Sequence, residues 1–438
     1  MKLKSFPGGL HPPDHKKWTQ HLAIADCPLP AELVIPLSQH IGAPAEACVT
    51  VGQAVKKGEV VGTAKGFVSV PVHAATSGEV VAVEPRMHPC GRALPAVVIR
   101  PDGEDAWLEG LSGVDPAKLD ADALRDRIRD AGIVGLGGAT FPAHVKLNPP
   151  GDKHIDTLVL NGVECEPYLT ADHRLMLEEP QRILDGIAIL QKILGVERTL
   201  LGIEANKPDA IAAMEKAADE AGIEVVALAV KYPQGAEKQL ILATTGREVP
   251  SGGLPMDVGV VVQNVGTAAA VADAVLRGMP LIERIATVSG PAVVHPQNLR
   301  VRIGTPLAHL VAACGGTSAP PAKIILGGPM MGTAQLGLEA PVTRGTSGLL
   351  LFGPGQFPQA VEGPCIRCGR CVRVCPAHIL PTTIAAFARL DLFAEAEAFD
   401  AMDCIECGCC TYTCPAAIPL VQAIRQAKGA ILAKRRKV

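Results

Sequence analysis

The chain has 438 residues, enough for roughly three domains at about 100–200 residues each. Its 41 Lys+Arg against 44 Asp+Glu give a formal net charge of −3, and aromatics make up 3%. This excludes the basic surface and stacking platforms of a nucleic-acid binder, and 45 Gly and 37 Pro stay below the share that marks a disordered chain. No apolar run approaches the ~20 residues of a membrane-spanning helix. The richest stretch, Val258–Leu276, is broken by Gln263, Asn264, Thr267 and Asp273. The opening MKLKSFPGGLHPP lacks the apolar core of a signal peptide, so a cytoplasmic, reducing location is expected. There the 14 Cys point to metal or redox chemistry rather than disulfides.

In chain order, residues 1–29 are Pro-, His- and Lys-rich without periodicity and read as an extended arm. Residues 30–112 carry short β-branched runs: LVIPL, EVVGTA, FVSVPV, GEVVAVEP and AVVIR. Val49–Gly62 and His73–Glu84 resemble the halves of a biotinyl/lipoyl-type barrel. Lys65, on the connecting segment, lacks the flanking Met of a modified lysine, so this barrel-sandwich domain reads as scaffold. Residues 113–283 open with a helix over 115–131, closed by Gly132. Strands (DTLVLN, TLLGIEA, EVVALAV, DVGVVVQN) then alternate with helices (EPQRILDGIAILQKILG, KPDAIAAMEKAADEAG, AEKQLILATTG). That alternation predicts an α/β domain with a largely parallel sheet. Residues 284–352 read as a small β-grasp-like module with strands ATVSG, LRVRIG and KIILGG and the helix PLAHLVAACGG. Residues 350–363 read as a linker, 353–428 as a helical cysteine domain and 429–438 as a basic tail. The fold class expected is multidomain, α+β and α/β.

Nine of the 14 Cys lie between Cys365 and Cys414. Cys365, Cys368, Cys371, Cys375 and Pro376 form C-x2-C-x2-C-x3-C-P, and Cys404, Cys407, Cys410, Cys414 and Pro415 repeat it. This is the bacterial-type [4Fe–4S] run, in which the fourth Cys ligates the other cluster. Short spacers curl three thiolates around one face of a cluster, and the second copy supplies the fourth. The expected sets are Cys365, Cys368, Cys371 and Cys414 for cluster one, and Cys404, Cys407, Cys410 and Cys375 for cluster two. Cys409 is out of register and reads as a small residue beside the cluster.

Clusters that move single electrons need a partner that supplies them. The loop GIVGLGGATFPAHVK is the candidate site, because Gly135, Gly137 and Gly138 let the backbone approach a ligand and turn N–H groups toward it. It is not a Rossmann fingerprint: position 140 is Thr, and the loop follows a helix. The next strand ends in NGVECEPY. Asn161 is placed to hydrogen-bond a polar ring edge. Glu164 and Glu166 lie just past the strand's carboxyl end, the usual ligand side of an α/β sheet.

Together, GLGGATFPAHVK and NGVECEPY resemble the flavin-binding signatures of the NADH-oxidising flavoprotein subunit of respiratory complex I. Tyr232–Leu240 and Val262–Thr267 resemble two further segments of that family. The order of the FPGGLHPPDHK opening, barrel, flavin loop, GGPMMG module and twin cluster motifs is more similar to the RnfC (RsxC) family of the Rnf (Rsx) electron-transport complexes. This resemblance implies an FMN site at Gly135, Gly137, Gly138, Lys146, Asn161, Glu164, Gly235, Glu237, Asn264 and Thr267, with Phe141 and Glu166 contacting NADH. Leu136, Thr140, Val163, Ala236 and Gln263 depart from the complex I pattern. His144 and Cys165 are expected to be packed or solvated, and Met330 and Met331 to pack in the core.

The resemblance further implies a peripheral NADH-dependent oxidoreductase subunit with FMN and two [4Fe–4S] clusters, on the cytoplasmic face of the inner membrane. Its partners would be the membrane subunits of the complex and ferredoxin or a ferredoxin-like subunit. The basic residues Lys434, Arg435, Arg436 and Lys437 would attract anionic lipid. A soluble flavin/iron–sulfur reductase of the cobalamin-reductase type, or a cluster-only relay, are the alternatives on sequence.

Overall fold

The computed structural model describes residues 3–219 and 221–436. At its centre is a four-stranded, all-parallel sheet in the order Ile223–Leu228, Arg198–Glu204, Thr157–Asn161, Val260–Asn264. Leu158, Val159 and Leu160 are wholly buried, as expected of a parallel strand covered on both faces. The helix Pro180–Leu194 starts on Pro180 and ends at Gly195, whose φ of +63° closes it. Its Ile183, Leu184, Ile187 and Leu190 face the core at helical spacing. Arg198–Glu204 and Ile223–Leu228 extend the sheet on one side of Thr157–Asn161, whereas Val260–Asn264 is added on the other. The carboxyl ends of these last two strands, paired Asn161 to Asn264, therefore flank a topological switch point, where ligands bind in open α/β sheets.

The barrel-sandwich region has two small antiparallel sheets. One runs Leu33–Pro36, Ala93–Pro101, Gly78–Met87, Ala54–Val55, and the other Glu46–Ala47, Val60–Thr63, Val72–His73. Of the predicted strand FVSVPV, only Val72 is in the ladder. The β-grasp-like module is a six-stranded mixed sheet. Its order is Ala25–Asp26, Gln297–Arg302, Glu283–Ser289, Gly348–Phe352, Lys323–Leu326, Thr333–Gln335.

Three expectations are corrected. Leu350, Leu351 and Phe352 are not linker; they end a wholly buried strand between two neighbours. The basic segment is not set off from the cysteine domain at 428, because the helix Leu420–Arg435 runs through that boundary, anchored by Ile424, Ala427 and Ile431. Lys437 lies outside the described residues. The arm, in turn, is woven into the structure. Its Ala25–Asp26 forms the edge of the module's sheet, pairing with Leu299 and Arg300. Phe6, Lys16 and Thr19 are buried, and the Gly9 N–H donates to the Val374 carbonyl at 2.8 Å.

Candidate flavin and iron–sulfur sites

The glycine-rich loop leaves the helix Ala121–Asp130 and folds back on itself. The Gly135 N–H donates to the Phe141 carbonyl at 2.9 Å, and Val134 bridges Pro142. A Cβ at Gly138 would meet nothing within 4 Å, and one at Gly137 would come no closer than 3.5 Å to Asn264. The loop thus presents open backbone at the switch point. Asn161 is fixed there: its Nδ2 donates to the Gly235 carbonyl at 2.8 Å and its Oδ1 accepts from the Val163 N–H at 3.2 Å. Lys146 pairs with Glu237 at the rim.

Several residues expected to touch a ligand have other work in the fold. Thr267 is wholly buried, and its hydroxyl accepts the Leu136 N–H at 2.9 Å. It therefore shapes the glycine loop from behind. Asn264 caps the helix Val265–Ala272 with its Oδ1, while its Nδ2 donates to Asp172 at 2.7 Å. Glu164, at φ +47°, is not a free loop carboxylate. It accepts the Asp172 and His173 N–H groups at 2.9 and 3.1 Å, opening the helix Ala171–Glu178 with the negative charge a helix N-terminus favours. Glu166 is half-buried and accepts the Met330 and Met331 N–H groups at 3.0 and 2.8 Å. Burial pushes its carboxyl up to about 7 despite those donors. Met331 itself is exposed rather than core, its backbone alone being engaged, and Met330 is half-buried.

Composition and spacing did not single out Asp172, Lys16 or Lys207. Asp172 is pushed up to about 7, first by burial and then by the Glu164 charge beside it. Its folded value lies above the ordinary 3.8, so the native state holds a proton that the unfolded chain has released between about pH 4 and 7. Stability from this site therefore falls as pH rises through that window. Asp172→Asn keeps an acceptor for Asn264 and removes the charge. It is expected to raise the melting temperature by roughly 3 °C or more at pH 8 and to give no gain at pH 4. Melting curves at the two pH values check this.

In the cysteine domain, Cys375, Cys404, Cys407 and Cys410 line one cavity, with Ile379 and Ile424. This is the set expected for cluster two, with the first run supplying Cys375. Burial pushes the Cys404 thiol up to about 11 and Cys410 to about 12. A hydrogen bond from Cys409 holds Cys407 below its usual value. The group fits an iron–sulfur cluster: four buried thiols around an apolar cavity that a cationic metal core would deprotonate. Cys365 and Cys368, in contrast, are exposed. The short helices Arg370–Val374 and Cys409–Tyr412 bring the two runs side by side, and the Gly363 N–H donates to the Ala416 carbonyl at 2.9 Å.

The two sites are joined by packed side chains. Tyr232, Cys165, Met330, Cys407 and Cys409 form one cluster. The Tyr232 hydroxyl donates to the Cys407 carbonyl at 2.8 Å, and the Gly235 N–H donates to the Cys165 Sγ at 3.4 Å. Cys165 is packed here as expected, and His144 is buried with its Nε2 3.3 Å from the Phe67 carbonyl.

Comparison with known proteins finds four family domains along the chain. Residues 4–104 match the RnfC barrel sandwich hybrid domain, 128–273 the Nuo51 FMN-binding domain, 285–334 the SLBB domain and 364–418 the 4Fe-4S dicluster domain. The chain is 51% identical over 428 residues to the C component of the proton-translocating ferredoxin:NAD(+) oxidoreductase complex of Clostridium ljungdahlii, covering 97% of this chain and 94% of that one. It is 49% identical to the Na(+)-translocating counterpart of Acetobacterium woodii, covering 100% and 99%. It is 48% identical to the C component of the ion-translocating oxidoreductase complex of Pseudomonas aeruginosa, covering 100% of this chain and 57% of that one. The chain belongs to the RnfC family. It carries the family's FMN-binding and twin [4Fe–4S] domains. Among the described residues, no helix is long and apolar enough to cross a membrane.

Proposed function

We propose that this chain is the NADH-linked subunit of an ion-translocating ferredoxin:NAD+ oxidoreductase complex, docked on the cytoplasmic face of the membrane through its partner subunits. The observation that carries this reading is the packed cluster Cys165–Tyr232–Met330–Cys407, which joins the turn after Asn161 to the thiol cavity. Bound FMN would exchange a hydride with NADH and pass electrons on singly, chemistry that side chains do not supply. Gly135, Gly137 and Gly138 would cradle it, Lys146 with Glu237 would set the charge at the rim, and Asn161 with Gly235 would hold the ring edge. Asn264 and Thr267 keep the loop in shape, Glu164 fixes the turn beneath, and Phe141 and Glu166 border the NADH side. Cys404, Cys407, Cys410 and Cys375 would hold the inner cluster. Cys365, Cys368, Cys371 and Cys414 would hold an outer one, whose exposed ligands face a ferredoxin or ferredoxin-like partner.

The test is FMN binding to the reconstituted chain, read by quenching of flavin fluorescence. Gly137→Ala adds a methyl where the structure has room and is expected to leave the melting temperature unchanged. It should weaken FMN binding by about tenfold or more, equivalent to about 1.4 kcal/mol, because the methyl stands in the cradle. FMN affinity equal to that of the parent chain would place the flavin elsewhere.

A further inference from the structure

Lys16 belongs to the arm, yet it is 2% exposed. Its Nζ donates to the carbonyl oxygens of Glu164 at 2.9 Å, Glu166 at 3.0 Å and Leu169 at 2.5 Å. Three acceptors match the three N–H bonds of an ammonium; a neutral amine has only two. Burial, and after it the Lys207 charge nearby, lower the lysine's affinity for its proton, while the Glu164 and Glu204 charges oppose that. The segment it holds needs holding, for Glu164 and Tyr168 both sit at positive φ, +47° and +69°, which is costly for non-glycine residues.

The neighbours of Lys16 extend the same clasp. His15 stacks on Tyr168 with ring centroids 4.6 Å apart, and Trp18 meets the same ring edge-on at 5.6 Å. The Tyr168 N–H donates to the Asp14 carbonyl at 2.7 Å. On the other side of the turn, the wholly buried Lys207 donates from Nζ to the Val163 carbonyl at 2.7 Å. Two buried ammonium groups thus grip the segment that carries Asn161's partner Val163, the cap Glu164 and the linking residues Cys165 and Glu166. Upstream of Lys16, the same arm passes cluster two. A Cβ at Gly8 would lie 2.8 Å from the Cys375 carbonyl.

We propose that Lys16 is a positioning residue of the flavin site, by which the N-terminal arm holds the Val163–Leu169 turn in register with both the glycine loop and the inner cluster and lends that turn a buried positive charge. The inference rests on the flavin placement proposed above. A positive charge fixed in a low-dielectric interior favours the form of a nearby group that carries more negative charge, and flavin becomes more negative on reduction. Lys16 therefore acts in two separable ways, through geometry and through charge.

The experiment compares Lys16→Met and Lys16→Arg with the parent chain, all loaded with FMN, by spectroelectrochemistry and by hydrogen exchange. Lys16→Met should move the flavin midpoint to a more negative potential, weaken FMN about tenfold (about 1.4 kcal/mol) and speed amide exchange across 163–169. Lys16→Arg should restore most of the potential, which a purely packing role would not predict. A Lys16→Met chain with an unchanged midpoint and an FMN affinity within about twofold of the parent overturns the proposal. If Lys16→Met does not fold, His15→Ala decides, since it removes the ring that stacks on Tyr168 and meets Trp18 while leaving Lys16 in place. Faster exchange in 163–169 with weaker FMN supports the clasp, and no change in either refutes it. Failure of the parent chain to bind FMN would instead sink the flavin placement.

Discussion

A Cys375→Ser chain is expected to lose the cluster of the second cysteine run while keeping that of the first. Cys375 belongs to the first run by sequence, yet it lines the cavity with Cys404, Cys407 and Cys410, so the loss should cross between motifs. Iron content should fall from that of two clusters to that of one. NADH should still bleach the flavin, whereas reduction of a ferredoxin-type acceptor should be abolished, because Cys407 of that set is the thiol packed with Tyr232 and Cys165. Cys414→Ser should remove the other cluster and leave the inner one reducible by NADH. Iron analysis with low-temperature electron paramagnetic resonance of both variants checks this. Loss of the first run's own cluster in Cys375→Ser would mean that each run ligates within itself. The cavity is also part of the domain's small core, which includes Cys371, Cys375, Cys404 and Cys410 beside Ile384, Ile424 and Ile431. Both variants should therefore melt earlier, as metal binding there is also folding energy.

The second large effect is expected at Glu166→Ala. This carboxylate joins the α/β domain to the β-grasp-like module by accepting two backbone N–H groups, those of Met330 and Met331. Truncation leaves both donors without a partner, at about 1–3 kcal/mol for each group that stays buried. The carboxyl group sits tight against the module: a Cβ at Gly328 would lie 2.3 Å from the Glu166 Oε2. The Met330 loop also approaches the thiol cavity, since a Cβ at Gly408, which lines it, would lie 2.9 Å from the Met330 carbonyl. The Met331 N–H is exposed and water can replace its partner, so the variant should lose stability by about 1–3 kcal/mol and also slow electron transfer from flavin to cluster. Thermal melting and stopped-flow absorbance are the measurements. A variant that melts earlier but transfers electrons at the parent rate would confine Glu166 to a structural role.

The elements of the α/β domain were legible because periodicity and punctuation agree there: TLVLN is an unbroken buried strand, and the helix ending at Gly195 is closed by a glycine. The cysteine sets were legible because ligand spacing is a local property. What the chain did not disclose is who satisfies whom at long range. Glu164 and Glu166 read as carboxylates free at a strand end, but each is engaged by backbone donors, one set at the start of the next helix and one in another module. Lys16 sits in a polar, Pro-rich arm that reads as exposed. No local pattern announces a buried lysine, since its three acceptors lie far along the chain, at Glu164, Glu166 and Leu169. Leu350–Phe352 read as linker because Gly and Pro follow at once, yet two partner strands were waiting for it.

The woven arm has a consequence for biosynthesis. Its residues leave the ribosome first, but their partners come late: Tyr232 for Leu10, Leu299 for Ala25, and Val374 for Gly9. Contacts spanning most of the chain close slowly, and synthesis advances at only about 5–20 residues per second. The first residues made are thus among the last to be placed. Until the cysteine domain has emerged, the arm lacks its Val374 partner. Its final docking then marks a chain whose modules are all in place.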